Sequence, residues 1–167
     1  MLQPVVRRSW APRGQTPVLR QWDRRDRLST ISALTIAPAR RRLGLYWATH
    51  RHNIRAADVL GFLQALRRHL PRGFTLIWDR SRTHRATCVQ AWLARHATTL
   101  HVEWLPPYAP DLNPVEHVWG HTKYSALANL TPPSLDALEG AVVTALAAKR
   151  GQRALLEAFV RAAGLRL

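Results

Sequence analysis

The stretch WLPPYAPDLNPVEHVWG, Trp104–Gly120, constrains the fold most, because four prolines lead directly into a helical pattern. Each proline fixes φ and removes a backbone hydrogen-bond donor, so no regular element is expected before Asn113. Asn113 is a favourable N-cap, and Pro114 suits the first helical position. Glu116 stands where a capping-box carboxylate reaches back to the cap. The sequence predicts a stiff loop and a helix beginning at Asn113, and it leaves open whether Glu116 only caps this helix or does chemistry.

The remaining pattern predicts a mixed α/β order of strands and helices. Two β-rich runs separated by Pro38 indicate a hairpin, and the apolar spacing from Ile54 to Leu70 indicates an amphipathic helix. Short apolar strands then alternate with helices, and the tail predicts two helices broken near Gly151. In order, the elements are strands LSTISALTIA and RRLGLYWATH, helix 54–70, strand FTLIWD, a helix over about 85–97, strand LHVEWLP and the later helices. This order predicts parallel strands joined by crossover helices after an antiparallel pair.

The charge balance points to a polyanionic partner. The 167 residues suit one domain, and 25 Lys+Arg against 10 Asp+Glu give a formal net charge of +15. Nucleic acid is the leading partner, ahead of an anionic membrane surface. Cys88 is the single cysteine, which excludes an intrachain disulfide, and no apolar run has the length of a membrane span. We therefore expect a soluble, cytoplasmic chain with no membrane partner.

Two acids follow neighbouring predicted strands. Asp79 directly follows the strand FTLIW, and Glu116 opens the helix after the loop that leaves LHVEW. Functional groups of α/β sheets gather outside the carboxyl ends of the strands. Two carboxylates from such ends are one way to build a divalent-metal site. Asp79 taken alone has a plainer interpretation as a turn residue that ends a strand.

These segments resemble a known family. LIWDRSRTHRA and VEWLPPYAPDLNPVEHVWGHTK resemble the second and third acidic motifs of the DDE transposases, in particular bacterial insertion-sequence transposases related to mariner. The opening QPVVRRSWAPRGQTP resembles the segment after the first acidic motif, so the resemblance covers nearly the whole chain. It implies a ribonuclease H-like fold in which three acids bind two Mg²⁺ or Mn²⁺ ions for DNA cleavage and strand transfer. Asp79 matches the middle acid and Glu116 the last.

The nucleic-acid contacts expected on this basis are His84, Arg80, Tyr108 and Asn113. His84 falls where the resembled family has a histidine after the middle acid, and a surface histidine at a helix start is the alternative. Arg80 is a departure, because the family more often has Asn at that position. The arginine pairs and runs could track phosphate or form ordinary solvated faces. The tryptophans lie mostly in apolar patterns and are predicted to be core rather than base-stacking residues.

The resemblance also implies missing parts. No residue matches the first catalytic aspartate, and Asp23 and Asp26 follow the APRGQTP segment and are not replacements. The expected domain is a truncated catalytic domain over residues 1–167 that lacks the first, central strand and the helix-turn-helix region that reads transposon ends. Its expected partners are transposon-end DNA and an upstream frame product that supplies the first Asp and the helix-turn-helix region. A homodimer stays open.

Three functions remain in competition. The first is a DDE transposase fragment with Asp79 and Glu116 as metal ligands. The second is a catalytically inactive, basic DNA-binding or assembly remnant, which the missing acid favours. The third is a zinc hydrolase that uses Glu116 with His117 and His121, whose i, i+4 spacing suits a helix face but lacks the HExxH order.

Overall fold

The computed structural model describes residues 7–8, 10–15, 18, 27–37 and 42–166. Asp23, Asp26 and Trp22 lie outside these ranges, as does part of the segment that resembles the family's opening motif. Within the described ranges no helix has the length and apolarity needed to cross a membrane.

The described residues form four strands and five helices in the predicted order. These are β1 (Ser29–Ala37), β2 (Arg42–His50), α1 (Ala56–His69), β3 (Phe74–Trp78), α2 (Thr87–Arg95), β4 (Leu100–Trp104), α3 (Pro114–His121), α4 (Leu135–Arg150) and α5 (Arg153–Ala162). A 3₁₀ turn at Pro110–Leu112 precedes α3, and a π-helical turn at Thr122–Ala126 follows it. Each predicted element is confirmed, with ends that differ by a few residues.

The strands pair as the sequence predicts. β1 and β2 form an antiparallel hairpin that runs from Ser29 opposite His50 to Ala37 opposite Arg42. β3 and β4 are parallel, from Phe74 opposite Leu100 to Trp78 opposite Trp104, and α2 is the crossover between them. The carboxyl ends of β3 and β4 therefore lie at one edge.

The ribonuclease H-like mixed sheet, which was expected without its central strand, is not continuous among the described residues. The strands make two separate two-stranded sheets, β1–β2 and β3–β4. Each sheet has its own core: the hairpin packs with α3, α4 and α5 around Leu45, Val118 and Leu146, whereas β3 and β4 pack with α1 and α2 around Val59 and Val89. No described strand joins the two pairs, so each core is completed by helices.

The prediction that most tryptophans lie in the core is confirmed in part. Trp78 and Trp92 are buried, and three others pack partly buried against the two cores, namely Trp47, Trp104 and Trp119. Trp10 is fully exposed.

Gly73 fixes the entry to β3. Its φ of +86° is in the left-handed region, and a Cβ placed there would lie 2.1 Å from the carbonyl oxygen of Thr99. The next residue, Phe74, donates its N–H to that same oxygen at 3.0 Å. Only glycine allows this approach, which starts the β3–β4 pairing in register.

Candidate metal and nucleic-acid site

The shared edge of β3 and β4 brings the two predicted motifs together. Asp79 directly follows Trp78, the last residue of β3. Leu105, directly after β4, donates its N–H to the carbonyl of Trp78 at 2.9 Å, so the pairing continues to the start of the proline loop. The loop therefore leaves the sheet beside Asp79.

Asp79 forms a turn through one carboxylate oxygen and leaves the other without a partner among the described residues. Its Oδ1 accepts the Ser81 N–H at 2.9 Å and lies 2.7 Å from Nδ1 of His84. The side chain is 56% exposed. Its Oδ2 has no hydrogen-bond partner in the described part of the chain. The turn interpretation is therefore correct in geometry, and it leaves one carboxylate oxygen free to bind a cation.

His84 faces Asp79 and is largely covered. Its ring stacks on Trp78 with a centroid distance of 4.2 Å and an interplanar angle of 14°. Gln90 donates to the His84 carbonyl at 2.7 Å and anchors the turn. This arrangement suits a residue that orients the Asp79 carboxylate. The predicted DNA contact of His84 stays a prediction.

Asn113 caps α3 as predicted. Its side-chain oxygen accepts the N–H of Val115 at 3.1 Å, and Pro114 occupies the first turn. The amide side chain is therefore committed to the helix start, and a contact of Asn113 with nucleic acid stays a prediction.

Glu116 is not the acid of a capping box. The Asn113 N–H that such a carboxylate would accept donates instead to the carbonyl of Pro110 at 2.9 Å. Within the described ranges, the Glu116 carboxylate makes neither a hydrogen bond nor an ion pair. The capping interpretation is therefore wrong, and the carboxylate is available for chemistry.

Electrostatics link Glu116 to Asp79. The pKa of Glu116 is raised, first because surrounding protein atoms desolvate the carboxylate and second because the negative charge of Asp79 acts on it, with a smaller opposing effect from His117. The residue as a whole is exposed, so solvent reaches the pair. A carboxylate whose charge is opposed by a second carboxylate fits a divalent cation, which prefers hard oxygen ligands.

The two histidines of α3 do not support a zinc hydrolase. His117 Nε2 lies 3.3 Å from the carbonyl oxygen of Asp111 and braces the loop. His121 packs edge-on against Phe159 at 5.6 Å, with its Nδ1 buried. Among the described residues, neither joins Glu116 in a three-ligand cluster.

An open groove begins at Arg80, the residue that follows Asp79. It has a volume of about 400 Å³ and is lined by Arg80, Arg85, Gln90 and Trp104. Tyr108, in the proline loop, is fully exposed and has a φ of 57°, which is uncommon outside glycine. Two guanidinium groups and an exposed aromatic ring are suitable contacts for phosphate and bases.

The sequence profile of the DDE superfamily endonucleases matches residues 1–139. The chain belongs to that family. A search of curated proteins finds no match for this chain.

Solved structures of Mos1 resemble this chain in fold. The Mos1 strand transfer complex matches with 21% identity and a TM-score of 0.59, covering 99% of this chain and 52% of that one. The Mos1 mariner paired-end complex with Mn gives 18% identity and a TM-score of 0.63, covering 98% and 50%. The Mos1 catalytic domain gives 18% and 0.51, covering 84% and 83%. This chain thus spans about half of the two longer proteins, and its α/β fold resembles the ribonuclease H-like mariner catalytic domain.

Sequence reasoning missed another group of ligand-bearing side chains. His50, His52 and Asp58 offer ligand atoms that all lie within 4.8 Å of one another. The available signal was a His-x-His at the end of β2 followed by an acid in the first turn of α1.

Proposed function

We propose that this DDE endonuclease chain is the catalytic portion of a transposase and that Asp79 and Glu116 are two of three acidic ligands for divalent metal. The observation that carries the proposal is the free Glu116 carboxylate, whose pKa is raised in part by Asp79 across the shared strand edge. A Mos1 structure similar in fold contains Mn, which supports Mg²⁺ or Mn²⁺ as the ion here.

The chain's own residues have distinct tasks in this proposal. Asp79 and Glu116 hold the cation, and His84 orients Asp79 through their 2.7 Å contact. The prolines fix the path of the loop, so that Glu116 is positioned before substrate arrives. When bound, two such ions activate a water or 3′-hydroxyl nucleophile and stabilise the leaving oxygen at the scissile phosphate.

The third acid comes, in this proposal, from polypeptide outside this chain. β1 and β3 each have a single described strand partner. Ile31 of β1 packs against the core of β3 and β4, so an additional strand between β1 and β3 would be flanked by existing structure. A strand inserted there would join the two sheets, and an Asp at its carboxyl end would lie near Asp79. An upstream frame product is the proposed source.

DNA, and transposon ends in particular, is the proposed substrate. The groove at Arg80 and Arg85 begins at the residue after Asp79, Tyr108 in the proline loop is fully exposed, and the net charge of the chain is +15. Binding through phosphate should be steeply dependent on salt and largely indifferent to sequence. Homodimerisation is compatible with this proposal and is not needed for the contacts described.

A nicking assay tests the catalytic proposal. A labelled supercoiled plasmid is incubated with the chain, alone and with the upstream frame product, in Mg²⁺, Mn²⁺ or chelator. We expect weak nicking by the chain alone, stronger nicking with the added product, and a fall to background in Asp79→Asn and Glu116→Gln. Asp111→Asn is the matched control, because it removes an exposed loop acid from the same segment. Nicking by Glu116→Gln at the wild-type rate contradicts the proposal.

The second candidate, a DNA-binding remnant, is favoured by the presence of two rather than three acids at the described edge. Salt-titrated DNA binding measured beside the nicking assay separates it from the first. Tight, salt-dependent binding with no metal-dependent nicking under any condition supports the remnant.

A further inference from the structure

A second group of potential metal ligands lies at the other end of α1 from the turn that leads to β3. His50 is the last residue of β2, His52 is in the turn that follows, and Asp58 is in the first turn of α1. Nδ1 of His50 lies 3.6 Å from Oδ1 of Asp58, and Nε2 of His52 lies 3.1 Å from Oδ2. Among the described residues, this is the one group of three such side chains whose ligand atoms converge.

The spacing suits tetrahedral coordination. Metal–ligand bonds of about 2.0–2.2 Å place neighbouring donors of a tetrahedral zinc site roughly 3.3–3.6 Å apart. The two nitrogen-to-oxygen distances, 3.6 and 3.1 Å, run to different oxygens of Asp58, and the shorter one is a hydrogen bond. Because one ligand atom from each residue lies within 4.8 Å of the other two, small side-chain rotations would bring all three to one ion. The imidazole rings are 5.3 Å apart and meet edge to face, so they do not block each other's approach to a shared ion.

His50 faces Asp58 without forming a hydrogen bond to it. The distance of 3.6 Å from Nδ1 to Asp58 is too long for a hydrogen bond. Its Nε2 is buried without a hydrogen-bond partner in the described part of the chain. The unpaired Nε2 therefore does not locate the ion. Nδ1 has no hydrogen bond in the described part of the chain and faces Asp58, so it is the nitrogen that a cation shared with Asp58 would bind.

The neighbouring charges leave Asp58 available. Arg51, which lies between the two histidines in sequence, directs its guanidinium to Glu139 and Asp136 on α4. The Arg55 N–H donates to Oδ2 of Asp58 at 2.7 Å, which holds the carboxylate in place. Hydrogen bonds of this kind orient carboxylate ligands in metal sites.

We propose that His50, His52 and Asp58 bind a divalent transition metal, with Zn²⁺ as the preferred ion and solvent as the remaining ligand. Two imidazoles and one carboxylate suit zinc, whereas Mg²⁺ favours oxygen ligands. β2 contributes to the core shared with α4 and α5, and α1 contributes to the core shared with β3 and β4. The ion would therefore tie the two halves of the fold together. This inference does not rest on the proposed function.

Metal titration of the purified chain tests the proposal. Chelator-treated protein is titrated with Co²⁺, whose visible absorption reports tetrahedral coordination, and with Zn²⁺ by calorimetry. We expect one Zn²⁺ per chain with a dissociation constant in the micromolar range or tighter. Zn²⁺ at a hundredfold excess over this constant should raise the melting temperature by roughly 5–10 °C.

Single-residue variants test whether these three side chains bind the ion. The side chain of His52 is 46% exposed, so His52→Ala should fold normally and lose at least about tenfold in zinc affinity. Asp58→Asn keeps a side chain able to cap α1 and should lose a similar amount. His101→Ala removes an exposed histidine from β4, and Glu116→Gln removes the carboxylate at the other site, so both should bind zinc as wild type does. Circular dichroism checks the fold of each variant.

Three results would overturn the proposal. These are no saturable zinc binding, unchanged binding in both His52→Ala and Asp58→Asn, or a loss of binding in Glu116→Gln. A failure of the zinc proposal leaves the proposed function untouched, because the nicking assay depends on Asp79 and Glu116 and not on the histidine group.

Discussion

Two carboxylates in this chain respond in opposite ways to their surroundings. The pKa of Glu116 is raised by desolvation and by the charge of Asp79. The pKa of Asp58 is lowered, chiefly by the hydrogen bond from the Arg55 backbone and further by His52 and His50, against an opposing effect of burial. The charge of Asp58 is therefore stabilised by its protein partners, whereas the charge of Glu116 is opposed by desolvation and by Asp79, with only a smaller favourable effect from His117. The difference identifies Glu116 as the carboxylate with the greater need of a bound cation.

The two groups also differ in how the fold assembles them. Asp79 and Glu116 belong to separate motifs and meet because β3 and β4 are parallel and end at one edge. His50, His52 and Asp58 are local in sequence and meet because the chain folds back between β2 and α1. The carboxylate pair therefore depends on strand register, and the histidine group depends on a turn. Mutations that act on one feature should spare the other.

The largest expected effect is the loss of stability in Gly73→Ala. This substitution should disturb the β3–β4 register and spare the turn between β2 and α1. Gly73→Ala introduces a Cβ that overlaps the Thr99 carbonyl oxygen, and the left-handed φ adds strain. We expect a loss of roughly 2–4 kcal/mol in the free energy of unfolding, measured by urea denaturation. Gly61→Ala in α1 is the control, because a Cβ there meets no neighbour, and it should stabilise the chain by roughly 0.5–1 kcal/mol. Equal stability of Gly73→Ala and wild type would show that the β3 entry is not constrained.

The next effect concerns His84 and should appear in metal affinity. His84→Ala removes the 2.7 Å contact to Oδ1 of Asp79. Loss of a group that orients a metal ligand typically weakens affinity by at least about tenfold. We expect that loss for Mn²⁺, with zinc affinity at His52 unchanged, in parallel titrations. If His84→Ala keeps the wild-type Mn²⁺ affinity, the role of His84 is to pack on Trp78 and not to orient Asp79.

The smallest effect is that of the helix cap. Asn113→Ala removes the bond to the Val115 N–H and should cost about 1 kcal/mol of stability. It should also weaken Mn²⁺ binding by a few fold, because Glu116 lies in the turn that the cap fixes. Ser134→Ala, which removes the bond from Ala137 N–H at the start of α4, should cost about as much stability and leave Mn²⁺ binding unchanged. A common effect of both variants on Mn²⁺ binding would indicate general destabilisation.

Much of this fold can be predicted from the sequence, because its signals are local. The hairpin, the crossover unit, the break near Gly151 and the cap at Asn113 each follow from periodicity or from a residue with one favoured backbone role. The pairing of Asp79 with the loop after β4 follows from parallel strands ending at one edge. Family membership was also recognisable, since the acidic motifs are contiguous stretches.

Other features depend on contacts that no local pattern encodes. The Asn113 N–H binds the Pro110 carbonyl, so Glu116 is left free although its spacing fits a capping box. His84 faces Asp79 because its ring stacks on Trp78. The turn between β2 and α1 brings His50 to Asp58 without any periodic signal. Which helices cover each strand pair is likewise a property of tertiary packing.

Mn²⁺ binding to the carboxylate pair tests the central claim most directly, because it requires no turnover. Mn²⁺ is titrated into the chain while the electron paramagnetic resonance signal of the free ion is recorded, with His52→Ala as the background so that the histidine group does not contribute. The account predicts that Glu116→Gln weakens binding at least about tenfold, whereas Asp111→Asn leaves it unchanged. Equal Mn²⁺ affinity with and without the Glu116 carboxylate would contradict it.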